Sequence, residues 1–155
     1  AAKEIDDIAI SSTRIRNYLT EGNLSMANEL LGYAYPLSGT VIHGAKRGRT
    51  IGFPTANIEV EDSHKLIPPN GVYAATTLID EVKYPVVMNI GTRPTVDGQD
   101  RSIEAHIIGL DKDLYNRRIQ INMQSFIRKE RKFDGLDSLK IQIHKDLNEA
   151  LQLLK

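Results

Sequence analysis

The sequence predicts a mainly β protein, a closed antiparallel barrel of roughly six short strands with a C-terminal helix, preceded by two short helices. Short apolar segments separated by glycine and proline turns indicate strands between residues 37 and 127. Ile119, Ile121 and Met123 alternate with polar residues, as in a half-buried strand. Near the C-terminus, apolar residues recur every three or four positions, which is typical of a helix packed against a sheet.

The composition limits the possible functions. The chain has 155 residues, enough for one domain with a substantial core, and its 20 basic residues balance 20 acidic ones. Zero net charge argues against a protein that mainly coats nucleic acid, because such a protein needs excess cations. The lack of cysteine excludes disulfides, Cys-ligated zinc and a thiol nucleophile, and it fits a cytoplasmic location. No apolar run approaches about 18 residues, so no membrane span is predicted.

The first 34 residues are predicted to form a unit separate from the barrel. The N-terminus lacks the apolar core of a signal peptide and resembles the middle of a longer chain. Ser11-Ser12-Thr13 predicts a helix start, because a hydroxyl can cap free N–H groups, and Gly22 ends that helix. A second short helix over residues 23–31 ends at Gly32. The pattern becomes strand-like after Tyr35-Pro36.

The remaining elements follow from turn chemistry and periodicity. The predicted strands span residues 37–42, 56–60, 72–79, 82–90, 102–108 and 117–127. Residues 67–71 are predicted to be a turn and residues 91–98 a second loop, because both are rich in glycine and proline. Asp80-Glu81 predicts a tight hairpin connection, Pro85 predicts an edge or a bulge, and the last two strands form another pair.

The terminal helix is predicted to begin near Asp137 or Ser138. Its apolar stripe is assigned to the core, with no chemical role, and comprises Leu139, Ile143, Leu147, Ala150, Leu151 and Leu154.

The most distinctive stretch is Gly44-Ala45-Lys46-Arg47-Gly48-Arg49-Thr50-Ile51-Gly52-Phe53-Pro54-Thr55-Ala56-Asn57. Glycines allow a backbone to approach a ligand closely, and free N–H groups with basic side chains suit phosphate oxygens. Thr55 and Asn57, two residues apart in an extended segment, present neutral oxygens to one side, and such oxygens can ligate a hard cation such as Mg²⁺. The alternative is a solvated basic turn followed by an ordinary strand end.

The common phosphate-transfer signatures are missing: the sequence contains neither a Gly-x-x-x-x-Gly-Lys-Ser/Thr loop nor a His-Arg-Asp kinase segment. The sequence does contain five motifs that, in the order in which they occur, resemble those of riboflavin kinases. They are the 44–57 stretch, Asn70-Gly71-Val72-Tyr73, residues 89–95 (Asn-Ile-Gly-Thr-Arg-Pro-Thr), residues 103–107 (Ile-Glu-Ala-His-Ile) and residues 126–133 (Phe-Ile-Arg-Lys-Glu-Arg-Lys-Phe). The resemblance is to the kinase module of bacterial bifunctional riboflavin kinase/FAD synthetases. It covers about residues 35–155.

The resemblance implies a six-stranded Greek-key barrel for residues 35–155 and an ATP-dependent phosphorylation of riboflavin to FMN. It also implies that residues 1–34 are the tail of an adenylyltransferase module plus a linker. Ile10-Ser11-Ser12-Thr13-Arg14-Ile15-Arg16 resembles the last nucleotide-side motif of that module. Its His-x-Gly-His motif is absent from the sequence, so FAD formation is expected only in the full-length protein.

The resemblance also implies residue roles. ATP would be bound by Gly44, Lys46, Gly48, Arg49, Gly52, Pro54, Thr55 and Asn57, and Mg²⁺ by Thr55 and Asn57. Glu104 would be the general base for the ribityl 5′-hydroxyl. The flavin would be bordered by Arg128, Arg131 and Phe133. His106, on the same strand face as Glu104, either orients it or is purely structural.

Two other classes of function stay open at this stage. One is a non-catalytic Greek-key barrel that binds nucleotide or RNA through its basic loop, although zero net charge and few aromatic residues weaken the RNA version. The other is a flavin sensor that kept the pocket but lost turnover. The expected partners are riboflavin or FMN, ATP or ADP, and an adenylyltransferase module in the full-length chain, with neither nucleic acid nor a membrane.

Overall fold

The computed structural model describes residues 2–43 and 53–155. In these ranges the helices are α1 (Ala2–Glu21), α2 (Leu24–Leu31) and α3 (Leu136–Leu153). The strands of the same ranges are β1 (Tyr35–Ile42), β2 (Ala56–Val60), β3 (Gly71–Ile79), β4 (Val82–Thr95), β5 (Gly98–Ile107) and β6 (Arg118–Arg128). They close into a barrel in the order β1-β2-β5-β4-β3-β6, which confirms the predicted barrel with its flanking helices.

All neighbouring strands of the barrel are antiparallel, and the connections form a Greek key. Strands β3, β4 and β5 follow one another as hairpins, whereas β2 lies beside β5 rather than beside β3. The predicted pairing of the last two strands is wrong, because β5 lies between β2 and β4 while β6 lies between β1 and β3. Partner choice depends on closure of the whole sheet, which local turn signals do not encode.

The β3–β4 hairpin forms as predicted. Asp80 and Glu81 have φ values of 50° and 70°, and Ile79 pairs with Val82 across the turn. Positive φ at both central residues matches the right-handed twist of the strands. Pro85 lies one residue beyond the last β4–β5 pair, so its missing N–H falls where that ladder ends, in keeping with the predicted local edge.

The predicted loop over residues 91–98 is wrong. Strand β4 continues to Thr95, and β5 begins at Gly98, which pairs directly with Thr95. Gly98 has a φ of 139°, a value that glycine adopts without steric cost, so the tight turn needs only Val96 and Asp97. Glycine and proline therefore mark the end of a hairpin here and not a longer loop.

The N-terminal helices differ from prediction in one boundary. Helix α1 has 20 residues and runs through Ser11-Ser12-Thr13, so the predicted start there is wrong. Hydroxyl residues can satisfy themselves inside a helix, as Thr20 does by donating to the carbonyl of Arg16 at 2.8 Å. Helix α2 ends as predicted at Gly32, which has a φ of 82°.

The core lies inside the barrel, where alternate residues of each strand point inward, and it extends to Leu19 of α1 and to Leu24 and Ala27 of α2. Its buried members include Leu37, Val41, Ile58, Tyr73, Met88, Ile103, Ala105, Ile121 and Met123. Helix α3 packs outside, against β3, β4 and β6. Its predicted stripe is partly correct, because Ala150 is buried and Leu151 is 41% exposed, while the buried Asp146 was not predicted.

Candidate active site

Three polar residues form one rung on the outer face of the barrel. Asn57 of β2 lies directly opposite Glu104 of β5, and Glu104 lies directly opposite Asn89 of β4. Directly opposed residues of an antiparallel sheet share a face, with their Cβ atoms about 5 Å apart. Ile103 and Ala105 point into the core, so Glu104 and its two neighbours point outward.

The polar groups of this rung are available to a ligand. Asn57 is only 9% exposed, Glu104 is half-buried and Asn89 is exposed. Among the described residues, none of the three side chains has a hydrogen-bond or ion-pair partner. A carboxylate flanked by two uncommitted carboxamides can accept a proton, ligate a cation or bind a hydroxyl.

The segment entering β2 is held against this face by His106. Its Nδ1 lies 2.7 Å from the carbonyl oxygen of Pro54, and its ring contacts Phe53 edge to face at 5.8 Å between centroids. Phe53 also meets His144 of α3 edge to face at 4.9 Å. His106 therefore anchors the residues that lead to Thr55, and none of these contacts is with Glu104.

A cavity of about 590 Å³ opens beside the rung at the end of the barrel. Thr55 and Asn57 line it, and one wall contains the stacked rings of His43 and Tyr115, with centroids 3.8 Å apart. The rest of the lining comprises Val41, Ile42, Pro54, Ala56, Ala105, Ile107 and residues 110–114. Its size and its mixed polar and aromatic lining suit a small organic ligand.

A second cavity, of about 490 Å³, shares Ile42 and Asn57 in its lining with the first. Arg101 in its wall donates to the carbonyls of Ile67 and Pro68 and to Asn70 Oδ1. Desolvation by burial lowers the pKa of the Arg101 guanidinium. These bonds tie the 67–70 turn to the β4–β5 hairpin, and Asn70 extends the link by donating to Thr92 Oγ1 at 2.7 Å.

The segment that follows β6 is organised around one aromatic ring. The guanidinium carbons of Arg128 and Arg131 lie 5.7 and 4.9 Å from the centroid of the Phe133 ring. Arg128 is also bound to the buried Asp146 of α3, with Nη2 to Oδ2 at 2.9 Å. The three residues predicted to border a flavin therefore form one cluster, in which Arg128 is already engaged by the protein.

The rung and this cluster lie on the same circumference of the barrel. Asn89 pairs with Val72 of β3, and Val72 pairs with Arg128 of β6. Strands are spaced about 4.8 Å apart, so Glu104 and Arg128 are about 14 Å apart along the barrel surface. The carboxylate and the aromatic cluster can therefore contact the two ends of one elongated ligand.

Part of the predicted site falls outside the described residues, namely Gly44, Lys46, Gly48, Arg49 and Gly52. Within the described ranges, no group of three or more His, Asp or Glu side chains could hold a metal, and no helix is long and apolar enough to cross a membrane. Thr55 and Asn57 line the same cavity, and their neutral oxygens suit a cation that brings other ligands with it. The donor set thus fits Mg²⁺ bound together with a phosphate.

Comparisons with known proteins agree with this architecture. The barrel resembles the solved riboflavin kinase of Trypanosoma brucei in fold, with a TM-score of 0.56 at 23% identity over 79% of the chain and 80% of that structure. A model of the Flavokinase (riboflavin kinase) family matches residues 31–154. The fold is thus that of riboflavin kinases, and the chain belongs to the riboflavin kinase family.

Individual relatives are longer proteins. The bifunctional riboflavin kinase/FMN adenylyltransferase of Escherichia coli K12 is 46% identical over 140 residues, which are 90% of the chain and 44% of that protein. The protein of the same description from Bacillus subtilis 168 is 44% identical over 149 residues, 94% of the chain and 47% of its own length. A Streptococcus pneumoniae structure described as a macrolide-efflux protein has a TM-score of 0.84 at 37% identity, covering 88% of the chain and 45% of that structure. The chain therefore spans less than half the length of these relatives.

Two residues of interest were not assigned a role from the sequence. Asn89 joins the rung only through strand register, so its position in the sequence does not reveal its neighbour Glu104. Asp146 lies in a helix whose sequence has an amphipathic pattern, and an isolated aspartate in such a helix is expected to face solvent. Its four-residue spacing from Gln142, to which it is hydrogen-bonded, was the one local signal available.

Proposed function

We propose that the chain is an ATP:riboflavin 5′-phosphotransferase that forms FMN and ADP. Family membership supports the reaction class, and one geometric observation supports the site. Glu104 stands between Asn57 and Asn89 on a single rung, and no described residue occupies its carboxylate. The carboxylate is thus available to a substrate hydroxyl beside a cavity large enough for a nucleotide.

In the proposed reaction, the ribityl 5′-oxygen of riboflavin attacks the γ-phosphorus of ATP. The new P–O bond forms as the bond from the γ-phosphorus to the β,γ-bridging oxygen breaks, and ADP leaves with that electron pair. The hydroxyl proton passes to the Glu104 carboxylate, which acts as general base. Positioning of the two substrates contributes most of the acceleration in transfers of this kind.

The nucleotide is proposed to occupy the 590 Å³ cavity, with its phosphates toward Thr55 and Asn57. The ATP-binding site is proposed to be completed by Pro54 and by the loop residues Gly44, Lys46, Gly48, Arg49 and Gly52. Thr55 and Asn57 would hold Mg²⁺, which when bound neutralises phosphate charge. Because both side-chain ligands are neutral, we infer that the ion binds together with ATP, whose phosphates provide the negative charge.

The flavin is proposed to extend from the exposed Asn89 on β4 toward the Arg131–Phe133 cluster, alongside α3, because α3 covers the outer face of β3. From Glu104, about 14 Å of barrel surface leads to Arg128, a span that accommodates a ribityl chain and part of a tricyclic ring. Arg131 and Phe133 would border the ring system, because a guanidinium plane or an aromatic ring can stack on it. The acceptor hydroxyl then lies at Glu104, facing the phosphates of the nucleotide.

The direct test is incubation of the chain with riboflavin, ATP and Mg²⁺, followed by chromatographic measurement of FMN and ADP. We expect both products in equal amounts, and none without ATP. Riboflavin binding without FMN formation would contradict the proposal and favour a non-catalytic flavin-binding barrel. The same assay with FMN and ATP measures FAD, which we do not expect from these residues alone.

We further propose that residues 1–34 are the tail and linker of an adenylyltransferase module in the full-length protein. The E. coli and B. subtilis relatives are described as bifunctional enzymes, and the family model begins at residue 31, close to the start of the barrel. The full-length protein should form FAD from FMN and ATP, whereas the present chain should not. FAD formation by the present chain would contradict this division.

A further inference from the structure

The proposed reaction does not use the most buried carboxylate described in the chain. Asp146 lies in the third turn of α3 and is 3% exposed, whereas most polar residues of that helix are exposed. A carboxylate is strongly disfavoured away from water unless it is paired and hydrogen-bonded. Asp146 must therefore be held by specific partners.

Those partners satisfy both oxygens of the carboxylate. Arg128 donates from Nε to Oδ1 at 2.9 Å and from Nη2 to Oδ2 at 2.9 Å, the two-point arrangement that orients a guanidinium plane. Gln142 Nε2, one helical turn earlier, donates to Oδ1 at 3.0 Å. The Arg128 side chain is itself only 20% exposed, so the pair is shielded from solvent.

The same contacts extend to the segment after β6. Gln142 Oε1 accepts from Arg131 Nη1 at 3.3 Å, and Arg128 Nη1 donates to the carbonyl of Lys129 at 3.1 Å. The Phe133 ring lies near both guanidinium groups. Through Arg128 directly and through Gln142, Asp146 thus sets the arrangement of all three residues proposed to border the flavin.

We propose that Asp146 is a positioning residue for the flavin, acting through Arg128 and the Arg131–Phe133 cluster. The inference rests on the proposed function. A buried ion pair is an inefficient source of stability, since apolar residues of similar volume often stabilise a fold as well or better. What a two-point pair supplies, and an apolar contact does not, is a fixed orientation of the guanidinium group. Here that orientation prepares the flavin-binding surface before the ligand arrives.

The test compares Asp146→Asn with wild-type protein by riboflavin fluorescence titration and by steady-state kinetics. Asparagine keeps the shape and an acceptor for Gln142 but loses the charge that orients Arg128. We expect the Kd and KM for riboflavin to rise about tenfold, equivalent to about 1.4 kcal/mol, while the KM for ATP and kcat at saturating riboflavin stay within about twofold. A merely structural aspartate would lower the thermal midpoint without separating the two KM values.

Two further variants keep the outcome decisive. Glu61→Gln, which breaks the exposed pair with Arg118 outside both cavities, is the matched control and should leave the riboflavin Kd unchanged. If Asp146→Asn does not fold, Gln142→Ala is the second variant, because it keeps the Arg128–Asp146 pair but removes the side chain that joins Asp146 to Arg131. It should keep the thermal midpoint and bind riboflavin more weakly, whereas an unchanged riboflavin Kd would overturn the positioning role.

The possible failures are distinguishable. Wild-type protein that makes no FMN would overturn the proposed function, and this inference with it. Wild-type protein that makes FMN, together with a folded Asp146→Asn variant of unchanged riboflavin Kd, would overturn the positioning role alone. Equal rises in the KM for ATP and for riboflavin would also overturn it, because the effect would then be general.

Discussion

Asn57 and Glu104 stand directly opposite each other on neighbouring strands β2 and β5 of the barrel. The pairing joins a residue next to the nucleotide-sized cavity to the only carboxylate on the rung. In the proposed reaction, the general base and a cation ligand are opposed residues, whose Cβ atoms in an antiparallel sheet are typically about 5 Å apart. The proton acceptor can then act on the attacking hydroxyl while the phosphate-binding group acts on the γ-phosphate.

Replacing Glu104 by Gln should lower kcat for FMN formation by about 10²–10⁴-fold, because the carboxylate that accepts the hydroxyl proton is lost. Riboflavin and ATP should bind with nearly unchanged affinity, measured by fluorescence titration and calorimetry. Glu81→Gln, in the exposed β3–β4 turn, is the control and should leave kcat unchanged. Full activity in Glu104→Gln would remove the residue from its proposed role.

Replacing Thr55 or Asn57 by Ala should raise the Mg²⁺ concentration needed for half-maximal FMN formation. Each change removes one neutral oxygen from a site that has few protein ligands to lose. The measurement is a Mg²⁺ titration at fixed ATP, with Thr40→Ala on β1 as control. Superimposable titration curves for both variants and wild type would rule out the metal assignment.

Replacing Asn89 by Asp should move the acid limb of the kcat–pH profile to higher pH. A second carboxylate opposite Glu104 disfavours the ionised form of the base, which then needs less acidic conditions to be active. Asn89→Ala is the matched variant, which removes the amide without adding charge and should leave the limb in place. An unshifted limb in Asn89→Asp would mean that the two side chains do not share one site.

The barrel should lose stability between about pH 10 and 12 as two buried tyrosines ionise. Desolvation by burial raises the pKa of Tyr35 and of Tyr73 to about 12 in the folded state. Since each folded pKa exceeds the unfolded value, the stabilisation is complete below pH 10 and disappears as pH rises through 12. Chemical unfolding at several pH values checks this.

The matched variant for the alkaline prediction is Tyr73→Phe. In wild type, Tyr73 donates its hydroxyl proton to the carbonyl of Pro69 at 2.6 Å, a bond that phenylalanine cannot form. The variant should therefore be less stable at neutral pH but should depend less steeply on pH above 10. Parallel pH profiles for the two proteins would contradict the assignment to Tyr73.

Much of the fold was predictable because it is encoded locally. The Asp80-Glu81 turn, the Gly32 helix end and the alternation from Ile119 to Met123 each report a conformation within a few residues. The errors arose where the same residue types serve two structures. Ser11-Ser12-Thr13 can cap a helix or lie inside one, and the glycines of residues 91–98 can form a loop or the end of a hairpin.

The candidate site was predictable to a different extent. Thr55, Asn57 and Glu104 could be proposed from residue chemistry together with the family motifs. Their mutual placement could not, because it depends on β2 and β5 being neighbours although some 40 residues separate them. The loop residues Gly44 to Gly52 lie outside the described ranges, so their phosphate-binding role stays a prediction.

By itself, the sequence determined the class of fold, the family and the residue types available for chemistry, because strand period, turn residues and motif order are all local properties. The tertiary structure decided which of those residues meet. It aligned Asn57, Glu104 and Asn89 on one rung and buried Asp146 against Arg128. Barrel closure sets the register between distant strands, and burial sets which polar groups must pair, so both depend on the whole chain at once.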